Sequence, residues 1–238
     1  MNCFLFFNCL GILYTKDNKY IGVDFVRLLK TDIFYLLLAA GTFIYKLCTV
    51  GFVGSLTSLL VIALLLFLRY AFKLIKFPLT NTLWILVTTF LMFSFFLGNI
   101  WGLYQLIPSW DFVLHLFSGF LLSVFGYCFL YMLSGYNKSN VTNYSFAAMF
   151  VFLFCVASAG VWEIYEFSGD MLFGLNSQNG SLLDTMTDMI AGTLGSIPMI
   201  VMLLLKRTGK RINLPEKLIS DIDAYRNVQT DTKKYNQM

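Results

Sequence analysis

Most of this chain consists of long apolar runs that few charged residues interrupt, and this limits it to a small set of folds. Runs of this length are the pattern of membrane spans rather than of a soluble core. Within lipid every backbone N–H and C=O must be paired inside the structure, so only helices or closed barrels cross. Barrel strands would alternate polar and apolar residues, and these runs do not alternate. The expected fold is therefore all-α, a polytopic transmembrane helical bundle. Composition agrees: 58% of residues are hydrophobic and only 13% charged, with mean hydropathy +0.72, whereas soluble domains carry about 25% charged residues.

About six membrane-spanning helices are expected, at Asp32–Tyr45, Phe52–Leu68, Thr82–Leu103, Phe112–Leu133, Tyr144–Glu166 and Thr185–Leu205. They divide the chain into an N-terminal interfacial or cytoplasmic segment (1–31), the bundle (32–205) and a basic cytoplasmic tail (206–238). The apolar stretch Met1–Tyr14 is too short to cross a core of about 30 Å and reads as interfacial. In the tail, Pro215–Asn227 reads as a short helix and the last ten residues as disordered.

Lys and Arg set the orientation. Arg69, Lys73 and Lys76 follow the second run, Lys138 separates the fourth and fifth, and Lys206, Arg207, Lys210 and Arg211 follow the sixth. None occurs from Phe77 to Asn137 or from Ser139 to Leu205. The positive-inside rule makes these clusters cytoplasmic, so both termini are expected inside and Lys46 alone falls outside. This explains the net charge of +4 without nucleic-acid binding. Cys3, Cys9, Cys48, Cys128 and Cys155 lie in apolar stretches without C-x-x-C spacing and read as small packing residues.

Six of the thirteen acids, Asp111, Glu163, Glu166, Asp170, Asp184 and Asp188, lie in or between the last three spans, together with the single histidine, His115. The topology brings them to one depth, near the outer face. Asp111 with His115 and Asp184 with Asp188 are four apart, one helical face each. Glu163, Glu166 and Asp170 also share a face. A carboxylate facing lipid near mid-membrane costs roughly 2.5–3.5 kcal/mol, so the three faces are expected to turn toward one another. Asp111, Asp184 and Asp188 can equally be read as acids of a first helical turn, where Ser181 and Thr185 begin S-x-x-D and T-x-x-D capping patterns. Glu163 and Glu166 fall at the C-terminal end of their expected span, where the dipole disfavours negative charge, and no Lys or Arg stands nearby. Their charge must be met by protons, a metal ion, cationic His115 or a cationic ligand group.

Gly119 with Ser123, Ala191 with Gly195, and Gly192 with Ser196 have the small-xxx-small spacing that lets membrane helices approach closely. Trp101, Trp110 and Trp162 fall where an outer aromatic belt is expected.

Four blocks in order, P-L-T-N-T-L-W at Pro78–Trp84, W-D-x-x-x-H-x-x-S-G at Trp110–Gly119, W-E-x-x-E at Trp162–Glu166 and D-T-x-x-D-x-x-A-G-x-x-G at Asp184–Gly195, resemble the YjdF-type family over roughly 69–205. The resemblance implies a multi-pass protein of the bacterial cytoplasmic (inner) membrane and supplies no reaction. The D-x-x-x-H pair, the later Glu and the terminal acid-and-Gly helix are also similar to VanZ-like membrane proteins, with Asp188 where that pattern often has Asn.

Three functions compete. In the first, Asp111, His115, Glu163, Glu166, Asp184 and Asp188 form the catalytic site of an enzyme acting on a lipid or envelope precursor. His115, Glu163, Glu166, Asp184 and Asp188 would then hold Mg²⁺, Mn²⁺ or Zn²⁺, which suit carboxylates with one imidazole. The second is a proton- or cation-coupled carrier, against which stands the lack of an inverted repeat or a Gly/Pro-broken helix pair. The third is a structural or regulatory protein whose polar cluster ties helices together. In a Cys-free version, a Cys at Asn176 should be labelled by an impermeant thiol reagent on intact cells and one at Asn227 protected. The reverse pattern would overturn the orientation.

Overall fold

The computed structural model describes residues 13–14, 20–21, 30–75 and 77–235. Most of the interfacial stretch Met1–Tyr14 lies outside the described residues. Its last two residues form β1 (Leu13–Tyr14), paired antiparallel with β2 (Tyr20–Ile21). The rest of the described structure is helical, as expected of a polytopic bundle.

The helices are α1 (Lys30–Thr49), α2 (Phe52–Ser55), α3 (Thr57–Leu74), α4 (Asn81–Leu91) running into a π-helix π1 (Met92–Ile100), α5 (Leu103–Leu106), α6 (Trp110–Leu133), α7 (Lys138–Val141), α8 (Tyr144–Phe173), α9 (Leu182–Leu194), α10 (Ile197–Arg207) and α11 (Asn213–Tyr235). Among the described residues five segments are long and apolar enough to cross a membrane: Thr57–Leu74, Asn81–Ile100, Trp110–Leu133, Tyr144–Phe173 and Leu182–Arg207. The expected span Asp32–Tyr45 is α1, whose apolar part, Ile33–Thr49, is shorter than these five. The expectation of six crossings counts α1 among them, whereas five segments among the described residues meet the length of a span.

Chain contacts divide the protein into two units, 1–88 with 220–238, and 89–219. In the first, α1 packs on α3, burying Ala39, Thr42, Ser58, Val61 and Leu65. Arg69 stacks its guanidinium 4.4 Å from the Trp84 ring centre. Thr82 donates to Asp221 Oδ2 at 2.8 Å, which fixes the start of α4 to the tail helix. That tail helix runs to Tyr235, so the expected disorder of the last ten residues is corrected for all but the final three, which lie outside the described residues.

The second unit is built on α6, α8, α9 and α10. Asn143 caps α8 by accepting from the Phe146 N–H, and Gly174 ends it in the left-handed conformation at φ 66°. The α8 helix is therefore two turns longer than the expected span, which stopped at Glu166. The last crossing is interrupted between Leu194 and Ile197. Pro198 has no N–H to return to Leu194, which breaks the ladder there. In π1 the bonds step back five residues, as Trp101 N to Phe96 O at 3.1 Å shows. Buried Val124, Tyr127, Cys128, Val151, Cys155, Met199 and Leu203 fill the centre. At the end away from Asp111, Lys206 hydrogen-bonds Glu216 and holds that carboxyl below its ordinary range.

Helices α6 and α9 meet backbone to backbone. A Cβ on Gly119 would lie 2.0 Å from the Gly192 carbonyl oxygen, and one on Gly195 would lie 2.1 Å from that of Leu116. Neither neighbour is a side chain that can swing away. Gly119→Ala should therefore cost about 1–3 kcal/mol by overpacking and lower the melting temperature in mild detergent. Gly160→Ala, whose Cβ would meet only Met189 Cε at 3.8 Å, should leave it unchanged. Equal melting of the two variants would contradict this packing.

Candidate metal centre

The α6–α9 contact fixes what lies one turn beyond it. His115 stands four residues before Gly119 on α6, and Asp188 stands four before Gly192 on α9. His115 Nε2 lies 3.6 Å from Asp188 Oδ2 and 3.8 Å from Asp111 Oδ1. The imidazole thus sits between an acid of its own helix and one of the facing helix. Asp188 is buried, with 4% of its surface exposed. It occupies the middle of α9, whose N-cap is Ser181, so the Thr185–Asp188 capping pattern is not what places it. The Ser181 pattern is realised: its hydroxyl accepts from the Asp184 N–H at 3.3 Å.

Helix α8 brings Glu163 and Glu166 within reach of Asp188. Because α8 continues to Phe173, both glutamates lie inside the helix rather than in its last turn. The dipole penalty argued from the shorter span therefore falls away, since that effect fades within one turn. What remains is burial. Glu163 is 5% exposed. Its Oε2 accepts from Gln178 Nε2 at 3.2 Å, while its Oε1 is buried with no hydrogen-bond partner among the described residues. Glu166 Oε1 accepts from Trp162 Nε1 at 3.0 Å.

Two sets of ligand atoms result, each with all members within 4.8 Å of one another: Asp111, His115 and Asp188, and Glu163, Glu166 and Asp188. Asp188 belongs to both. Five of the six residues singled out from sequence are thus brought together. Asp184 is not in either set; it accepts from Asn179 Nδ2 at 3.2 Å. Asp170, expected on the face of Glu163 and Glu166, instead accepts from the Ser177 and Gln178 amides at 2.7 and 3.0 Å. It folds the loop after α8 back so that Gln178 reaches Glu163.

Two neighbours escaped the sequence reading. Gln178 is a loop residue with no motif around it. Tyr104, on the one-turn α5, packs its ring where a Gly98 Cβ would be and bonds Ser94. Burial pushes its phenol above the ordinary value, helped by the negative fields of Asp111 and Glu166. Tyr104 therefore stands near this end of the bundle.

The sequence profile of a family described as "Predicted membrane protein (DUF2238)" matches residues 31–209. An uncharacterized protein of Thermotoga maritima is 34% identical over 115 residues, which cover 48% of this chain and 57% of the relative. The match thus spans little more than half of that relative's length. No solved structure matches.

Proposed function

As this chain belongs to the DUF2238 family of predicted membrane proteins, we propose a function exercised in the bilayer: its carboxylate–histidine cluster binds a divalent cation, which serves chemistry on a lipid or envelope precursor. The four motif blocks that resemble the YjdF-type family contain every residue of the cluster, which is consistent with that membership. The observation that carries the reading is the Glu163 Oε1 atom, buried and without a donor among the described residues. A buried carboxylate oxygen left unpaired is costly, and a cation bonded to it removes that cost. No Lys or Arg occurs in residues 77–137 or 139–205 to do so instead.

Carboxylates with one imidazole suit Mg²⁺, Mn²⁺ or Zn²⁺. A bound ion would polarise a phosphate or activate a water. Asp188, Glu163 and Glu166 would hold it, with His115 and Asp111 on the facing side. Placing the cluster at the outer leaflet follows from the Lys and Arg distribution and is part of the proposal. The structural reading draws on the His115 contacts to Asp111 and Asp188, which tie α6 to α9 without any ion.

Thermal unfolding in mild detergent separates the two. A ligand bound only by the native state at 100 times its dissociation constant adds about 2.7 kcal/mol. At least one of Mg²⁺, Mn²⁺ and Zn²⁺ should raise the melting temperature of the wild type, and Glu163→Gln should reduce that rise. No rise with any of the three, with unchanged melting of Glu163→Gln, would leave the structural tie as the better account.

A further inference from the structure

We propose that the cluster is built for two divalent cations bridged by Asp188, an inference that rests on the cation-binding reading above. One ion would take Asp111, His115 and Asp188; the other would take Glu163, Glu166 and Asp188. The two sets approach Asp188 from different helices, α6 and α8, and share no other residue. A carboxylate has two oxygens, so Asp188 can give one to each ion.

Charge gives an independent reason. The cluster contains four carboxylates, Asp111, Glu163, Glu166 and Asp188, and one imidazole. The bundle supplies no Lys or Arg between Ser139 and Leu205 or from Phe77 to Asn137. One divalent ion would leave two negative charges to be met by protons or by cationic His115, beside the exposed large hydrophobic side chains Val161, Ile164 and Tyr165 of α8. Two divalent ions balance four carboxylates. The buried Glu163 Oε1, without a hydrogen-bond partner among the described residues, marks the Glu163–Glu166–Asp188 position, and the Asp111–His115–Asp188 set supplies the other. Without an ion there, that set has a carboxylate oxygen with nothing to bond.

Three protein ligands per ion leave open positions when the ion takes six. Paired ions with open positions are the arrangement that clamps both sides of a phosphoryl group. Ions of the Mg²⁺ and Mn²⁺ class fit an oxygen-dominated set with a single nitrogen.

Full-length protein in detergent, stripped with EDTA and reloaded with Mn²⁺, gives the test. After desalting, elemental analysis should find two Mn²⁺ per chain. Electron paramagnetic resonance should show the isolated-ion six-line signal giving way to an exchange-coupled spectrum as the second equivalent binds. His115→Gln and Glu163→Gln should each fall from two ions to one and recover the six-line signal, while Asp188→Asn should lose the coupled species altogether. One Mn²⁺ per wild-type chain, or two without coupling, would overturn the bridged pair and leave the single-ion reading standing. No bound Mn²⁺, repeated with Zn²⁺ to the same result, would remove both. If a variant fails to fold, the wild-type count and spectrum decide.

Discussion

Everything proposed for this protein depends on how closely α6 and α9 approach. Glycine at 119 and 195 lets two backbones touch where any side chain would hold them apart. Membrane helices have no hydrophobic drive toward each other in lipid, so such contact is a main source of their association. One turn beyond the contact, the same approach sets His115 against Asp188. A wider spacing would leave both polar groups in a gap or in lipid. The packing interaction and the polar cluster are two consequences of one contact.

The third helix has a different role. Through α8 the chain adds Glu163 and Glu166 to the Asp188 side chain, and Asp170 folds the following loop back so that Gln178 covers part of Glu163. The loop leaves one oxygen of Glu163 unserved. Here the atom is buried in a bundle whose flanks are apolar, and the missing partner becomes the most informative feature of the site.

Much of this was legible in the sequence, for physical reasons that can be named. Lipid forces long apolar runs, so the helical class and most spans could be read directly. The cost of a carboxylate in lipid predicted that the faces carrying Asp111 and His115, Glu163, Glu166 and Asp170, and Asp184 and Asp188 would turn toward one another. Five of these residues come together, while Asp170 and Asp184 accept from loop residues. Other features left weaker traces. The expected span stopped at Glu166, yet α8 runs on to Phe173, and the helix end used to argue a dipole penalty at Glu163 moves away with it. Asp184 and Asp188 look alike in spacing, but only the packing at Gly192 decides which of them reaches His115. The π-helix before Trp101 shifts hydrogen bonds by one residue without changing the apolar pattern. Pro198 was visible, and the break it makes between α9 and α10 follows from its missing N–H, but an unbroken apolar run concealed it.

The central claim is that cations, rather than protons or basic side chains, complete the cluster around Asp188. The most direct measurement is an anomalous difference map of the protein crystallised in lipid with Mn²⁺. Density should appear within about 2.0–2.6 Å of Asp188 carboxylate oxygens, with Glu163 Oε1 turned into the coordination shell. A map at saturating Mn²⁺ with no anomalous density at Asp188, and Glu163 Oε1 bonded to a protein donor or a water, would contradict it.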